Sequence, residues 1–250
     1  RGVKTMLDFH EKISKYKVDV IKAVATESLR RAGDSKLFID TVLSKTGIEI
    51  DVISGHEEAL LIFNSIKHLN PTKKSFLVMD IGGGSTEFIL ANNISVLWKD
   101  SYPIGSTILK NRFHKSDPID KEGIDQLIGL LREKLFELFK EIELHKPDLL
   151  IGTSGSFETI CDLIYKERGE YWQLKFIDLA QFKNLYKQLL NSTSLERKIM
   201  PGMNTLREPL MVVAVILINY VMDSSGIKRL SLAQTALKEG LAIKLLTEKN

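Results

Sequence analysis

Apolar positions along the chain switch repeatedly between the periods that mark helices and strands, which predicts an α/β fold with parallel strands. Residues 3–16 carry a helical repeat, and 18–25 (VDVIKAVA) form a β-branched apolar run of strand length. A helix is expected over 36–45, with Gly47 placed to cap it. Residues 48–53 (IEIDVI) alternate with period two and lead into a helix over 57–66. A second series opens with a strand over 75–81 (SFLVMDI) that runs straight into Gly82-Gly83-Gly84. Strands over 86–90 and 94–100, joined through Asn92-Asn93, have the form of a β-hairpin. Further helices are expected over 124–144, 179–190 and 209–221, and a buried strand over 148–151 ends in Gly152-Thr153-Ser154-Gly155. A short strand near 229–231 and a helix over 235–246 complete the pattern.

A chain of 250 residues can bury the core of one large domain or of two smaller ones. Its 44% apolar and 27% charged content is ordinary for a globular chain, and a net charge of +3 lacks the basic excess of a nucleic-acid binder. The longest apolar run, 209–222 (PLMVVAVILINYVM), is shorter than the ~20 residues of a membrane span; it reads as a buried helix, with no membrane partner. Arg1-Gly2-Val3-Lys4 does not have the pattern of a secretory signal. Cys161 is the single cysteine, so no intrachain disulfide can form and a reducing, cytoplasmic setting is expected.

Three segments share one grammar: a strand ends, small residues follow, and polar side chains collect at the carboxyl edge of the sheet, where α/β folds hold ligands. In Asp80-Ile81-Gly82-Gly83-Gly84-Ser85-Thr86-Glu87 the glycines let backbone N–H groups converge on an oxyanion with no Cβ in the way. Asp80 before the turn and Glu87 after it offer hard oxygens to a Mg²⁺ ion that keeps most of its waters. A bare glycine run would read as a tight hairpin turn with solvated acids. The flanking carboxylates and the Ser-Thr pair favour the phosphate reading. Gly152-Thr153-Ser154-Gly155-Ser156 opens a helix near residue 157 and offers amides and hydroxyls to an anion, or simply an N-cap at Ser156. In Ile53-Ser54-Gly55-His56-Glu57-Glu58-Ala59 adjacent carboxylates begin a helix; Glu57 suits the helix dipole, and only one of the two acids can point across a cleft. No second histidine or cysteine lies at metal-ligand spacing from His56, which reads as an exposed turn residue, and His10, His68, His114 and His145 read as isolated surface residues.

At these segments the chain resembles the exopolyphosphatase and guanosine pentaphosphate phosphatase family, part of the superfamily of actin, heat-shock chaperones and sugar kinases. DIGGGSTE (80–87) is similar to the family's second phosphate loop and is the most specific match. ISGHEEA (53–59) resembles its catalytic segment, in which Glu58 corresponds to the general base. ATESLRRA (25–32) resembles a stretch whose arginine faces the active site, which points to Arg30. GTSGS (152–156) resembles the remaining loop, and LKEGLA (237–242) the closing helix. The resemblance implies an α/β fold of two actin-like (ribonuclease H-like) lobes with the active site in the cleft, residues 1–57 plus 235–250 forming the first lobe and 58–234 the second. It further implies release of the terminal phosphate of polyphosphate or guanosine pentaphosphate, with Mg²⁺ or, in its place, Mn²⁺ as cofactor. Glu58 and Arg30 are the implied catalytic groups, and Asp80 and Glu87 the implied metal ligands. Gly82, Gly83, Gly84, Ser85, Thr86, Gly152, Thr153 and Ser154 form the implied phosphate cradle, and a homodimer is allowed.

The chain departs from the family pattern twice. The family's opening strand and phosphate loop, Asp-hydrophobic-Gly-Ser-Asn-Ser, has no counterpart in the sequence, so the first lobe is expected to be incomplete in this chain. A family segment reading arginine, small residue, aspartate is met by Arg207-Glu208-Pro209, which keeps only the arginine. Two other readings stand beside the hydrolase: an ATP-dependent kinase or ATPase of the superfamily, and a non-catalytic module that senses an alarmone or polyphosphate. The glycine loop alone does not separate them; the Glu58 segment favours transfer to water.

Overall fold

The computed structural model describes residues 1–248 apart from Asn70, Glu167, Arg168, Glu170, Tyr171 and Trp172. The chain divides into two compact units, Arg1–Glu58 and Ala59–Asn250.

The first unit runs α1 (Gly2–Ile13), β1 (Ala23–Ala25), α2 (Glu27–Arg30), α3 (Ser35–Thr46), β2 (Ile50–Val52) and the start of α4 (Gly55–Lys67). Gly2 brings α1 so close to α3 that a Cβ there would stand 2.7 Å from the Phe38 ring. The α3 helix stops at Gly47, whose φ of 68° supplies the left-handed cap read from the sequence. Strands β1 and β2 pair in parallel, Ala23 opposite Ile50. The strand expected over 18–25 is shortened to Ala23–Ala25, and Val18, Val20 and Ile21 are exposed. Strand propensity acts through pairing and burial. Among the described residues this sheet has only two strands, and β2 offers β1 three residues of edge.

The second unit continues with β3 (Phe76–Ile81), β4 (Thr86–Ala91), β5 (Val96–Tyr102), α5 (Ser106–Phe113), α6 (Lys121–Lys134), α7 (Phe136–His145), β6 (Leu150–Thr153) and α8 (Ser154–Tyr165). It closes with β7 (Lys175–Ile177), α9 (Leu179–Leu190), α10 (Ser194–Lys198), α11 (Glu208–Ser225), β8 (Leu230–Ala233) and α12 (Leu237–Glu248). Its six-stranded sheet has the order β5-β4-β3-β6-β8-β7, with β3, β6 and β8 parallel. Side chains leave a strand alternately to its two faces. Leu77, Met79, Ile81, Phe88 and Leu90 accordingly enter one core, and Phe76, Val78, Ile89 and Ala91 the other.

The first core is built around α11, whose 18 residues are long and apolar enough to cross a bilayer, yet Met211 to Ile218 are all buried inside this unit. The helix read over 124–144 is broken at Leu135 (φ −95°, ψ 14°), which lets α7 turn Leu138 and Ile142 into the same core. The α12 helix, assigned by resemblance to the first lobe, is grouped with the second unit. Its Gly240 abuts the Leu61 carbonyl, closer than any Cβ would permit. Lys249 and Asn250, the end of the stretch so assigned, lie outside the described residues.

Candidate active site

The turn between β3 and β4 is held from one side. Its Gly82 carbonyl accepts the Ser106 N–H at 2.9 Å and the Ser106 hydroxyl at 3.1 Å; Gly83 accepts the Thr107 N–H at 3.1 Å, and Gly84 the Gly105 N–H at 3.2 Å. In a trans peptide the N–H points opposite to the carbonyl it shares a plane with. Three carbonyls committed to the start of α5 therefore turn the Gly83, Gly84 and Ser85 amides away from it. Among the described residues the Gly83 and Gly84 amides donate to no backbone carbonyl, so the loop forms an amide nest of the kind that takes an anion. Gly105 permits this contact, since a Cβ there would stand 2.5 Å from the Gly84 carbonyl carbon.

The Ser85 and Thr86 hydroxyls are turned inward. Ser85 donates to Glu87 Oε1 at 2.6 Å and Thr86 to the Ile104 carbonyl at 3.1 Å, so what these positions offer a phosphate is backbone. Asp80 and Glu87 face each other across β3 and β4. They are 7% and 1% exposed, which removes the solvated-turn reading. Glu87 Oε1 also accepts the Ser101 hydroxyl at 2.8 Å. Burial raises the Asp80 carboxyl to about 7; the Ser154 hydroxyl and the Arg207 charge oppose the rise, and the Glu87 charge adds to it. Among the described residues no group of three or more acidic, His or Cys side chains gathers around one point. Two carboxylates with water completing the shell fit Mg²⁺, which binds protein through few ligands, and do not fit a closed all-protein cage.

Ser154 has φ 67°, uncommon for a residue with a side chain, where β6 ends and α8 begins. Thr153, fully buried, donates its hydroxyl to the Thr235 carbonyl at 2.6 Å. Gly152 lies under the Phe157 ring, with no room for a Cβ. Ser156 is buried, and among the described residues its hydroxyl has no hydrogen-bond partner at a helix start that already presents free amides. The Arg207 guanidinium lies over Gly155, where a Cβ would be 2.6 Å from Nε. Arg207, which the sequence leaves without a task, thus places its positive charge at the N-terminal end of α8.

In the first unit, Ser54 caps α4. Its hydroxyl accepts the Glu57 N–H at 3.1 Å, while the Glu57 carboxylate accepts the Ser54 N–H at 2.8 Å and its hydroxyl at 2.9 Å, a reciprocal capping box. Glu57 is committed to the helix start. Glu58 is 7% exposed, and Arg30 Nη1 stands 3.8 Å from its Oε2. Arg30 is fixed by Glu27 Oε2 at 2.8 Å and 3.3 Å and donates Nη1 to the Ile53 carbonyl. Glu27, which sequence reading passed over, thus orients the arginine beside Glu58. Its i, i+3 spacing to Arg30 on a helix was the available signal. His56 is exposed as expected, but it lies in the first turn of α4 and not in a turn before it.

A model of the Ppx/GppA phosphatase family matches residues 1–249. The chain belongs to this family. Membership makes it a phosphohydrolase, and the fold is of the α/β class. A crystal structure of an exopolyphosphatase from Cytophaga hutchinsonii is similar at 32% identity with a TM-score of 0.93, covering 98% of this chain and 81% of that one. A Ppx/GppA family member from Aquifex aeolicus shares the fold at 24% identity and TM-score 0.83, covering 99% of this chain and 81% of that one.

The family-segment departure has a structural reason. Glu208 is 1% exposed and takes Arg197 Nε at 2.9 Å, and Pro209 occupies the first turn of α11, where proline is tolerated. His114 corrects the surface reading given to it: its side chain is only 5% exposed.

Proposed function

We propose that the protein is an exopolyphosphatase-type hydrolase that releases the terminal phosphate of inorganic polyphosphate or of guanosine pentaphosphate. The observation that carries the reading is the Gly82–Ser85 nest, whose outward amides stand beside the buried Asp80 and Glu87. In this reading the nest and residues Gly152 to Ser154 hold phosphate oxygens, helped by Arg207. Glu58, kept beside Arg30, accepts a proton from water as the water oxygen bonds to the terminal phosphorus. The bond from that phosphorus to the bridging oxygen breaks, and this oxygen leaves with the shortened chain. Asp80 and Glu87 would hold Mg²⁺ or Mn²⁺, which when bound neutralises charge on the phosphoryl oxygens.

The test is phosphate release from polyphosphate, guanosine pentaphosphate and ATP, side by side, with and without EDTA. Release from a phosphate chain end that EDTA abolishes is expected. Turnover of ATP alone in the presence of an acceptor would favour a kinase, and tight binding without turnover would favour a sensor.

A further inference from the structure

We infer that the second unit carries a second phosphoanion site, distinct from the glycine loop, in the cavity where α5, α10 and α11 meet. The inference stands on this cavity alone and does not depend on the proposed hydrolysis. The cavity measures about 320 Å³. Its two acids are already committed: Arg197, 2% exposed, gives Nε to Glu208 and Nη2 to Asp117, each at 2.9 Å, and Nη1 to the Ser192 carbonyl. The other oxygen of Asp117 accepts the Ser194 N–H at 2.6 Å, and that of Glu208 accepts the Ser194 hydroxyl at 3.2 Å.

The uncommitted charge in the lining is positive. Lys110 and Lys198 make no ion pair among the described residues, and Lys115 bonds only the Asn111 carbonyl. These lysines outweigh the single negative charge that the Arg197 cluster keeps in excess. His114 also lines the cavity, with its side chain 5% exposed and, among the described residues, neither ring nitrogen in a hydrogen bond; the nearest acidic oxygen, Asp117 Oδ1, is 3.9 Å from Nε2. A buried imidazole without a partner bears its full desolvation penalty. An oxyanion in the cavity would accept from it and from the lysines together. Burial and then the Arg197 charge hold His114 below the ordinary imidazole range, which favours the neutral ring. A bound phosphate would reverse that balance by stabilising the imidazolium. The α5 helix starts on the glycine loop and ends one residue before His114, which separates the two sites by about 12 Å along its axis.

The full chain is titrated with orthophosphate and, separately, with tripolyphosphate, with the His114 ring followed by ¹H–¹⁵N NMR and affinity by calorimetry. Lys110→Ala and Lys198→Ala are the variants, because neither side chain takes part in the Arg197 cluster. The expected result is a shift of His114 toward imidazolium, with each variant weakening that response about five- to tenfold, the order of one part-exposed charged contact. A response to both anions supports a site filled by free phosphate, and a response to tripolyphosphate alone supports a segment of phosphate chain. A His114 signal that neither anion moves, or affinities unchanged in both variants, overturns the inference. A chain inactive on every substrate would leave the NMR result standing.

Discussion

Two groups of carboxylates in the second unit, one buried and one joining the buried Glu208 to a more exposed Asp117, are handled in opposite ways. At the sheet edge, Asp80 and Glu87 face each other, and burial raises Asp80 to about 7 despite the Ser154 hydroxyl. Where α10 meets α11, burial also works against Asp117, but the Ser194 N–H and the Arg197 guanidinium outweigh it and hold that carboxyl below its ordinary value. The fold can place a guanidinium 2.9 Å from each of two acids, as Arg197 shows. At Asp80 the nearest such help is the charge of Arg207, which does not offset the burial. Charge that the protein leaves uncompensated in a buried site marks where something else is to bind. Charge that it compensates internally is fastening. On the readings proposed above, Asp80 with Glu87 would take a cation, and the buried His114 ring with the more exposed lysines around it an anion.

If this contrast holds, removing charge from a working acid costs activity and spares the fold, and removing it from the fastening does the reverse. The largest effect is expected for Glu58→Gln, the other buried acid proposed to do chemistry: kcat falls about 10²–10⁴-fold, with KM and thermal midpoint near wild type. Nearly full kcat would take Glu58 out of the reaction. Next is Arg197→Met, which leaves Asp117 and the buried Glu208 without their cation. A loss of about 3–5 kcal/mol is expected, read as a lower urea midpoint, because breaking a buried pair strands a charge. A loss below about 1 kcal/mol would erase the distinction between the two clusters.

What was legible in the sequence follows the range of the forces involved. Elements set by local rules could be read: the Gly47 cap, the β4–β5 hairpin and the wholly apolar α11. The structural role of Glu57 was legible too, because an acid in the first turn of a helix suits its dipole, and the capping box with Ser54 commits it there. The features that shape the site come from far along the chain. The loop carbonyls are taken by α5, about twenty residues on, and Arg197 reaches Asp117 across 80 residues of sequence. His114 looked like a surface residue because Lys115, Ser116 and Asp117 follow it, and the residues of α10 and α11 that line its cavity lie 80 or more positions further along the chain. The strand over 18–25 was overread because its apolar residues obey a strand pattern for which the described chain supplies only a three-residue partner.

Asp80→Asn sharpens the contrast through pH. A carboxyl raised from 3.8 to about 7 binds its proton more tightly in the folded than in the unfolded chain, so this group makes stability fall as pH rises from about 4 to 7 and level off above. The shift corresponds to roughly 4 kcal/mol of penalty at pH 8, of which the amide, losing part of the Ser154 contact, should recover about 2–3 kcal/mol. In metal-free buffer the variant should therefore melt above wild type at pH 8, with the gain vanishing near pH 4, while phosphate release is lost. A gain of the same size at both pH values would show that the buried charge is not its source.

The smallest effect is expected at Ser101, which lies on the edge strand β5 opposite Glu87 and gives it a hydroxyl at 2.8 Å. Ser101→Ala removes one of the two serine hydroxyls on Glu87 Oε1 and leaves the Ser85 contact at 2.6 Å. A neutral donor to a carboxylate contributes about 1 kcal/mol, so stability should fall by no more than that. The more telling quantity is the Mg²⁺ concentration for half-maximal activity. Outer partners of a metal-binding carboxylate fix its orientation, and losing one weakens the metal without touching the reacting atoms. With Ser85 still in place the shift should be a few-fold upward, and kcat at saturating Mg²⁺ should stay near wild type. A fall in kcat at saturating metal, with the half-maximal concentration unchanged, would instead put Ser101 in contact with substrate. A variant identical to wild type in both would show that Glu87 is positioned without Ser101, and the Ser85 hydroxyl would then let the glycine turn carry its own metal-orienting group.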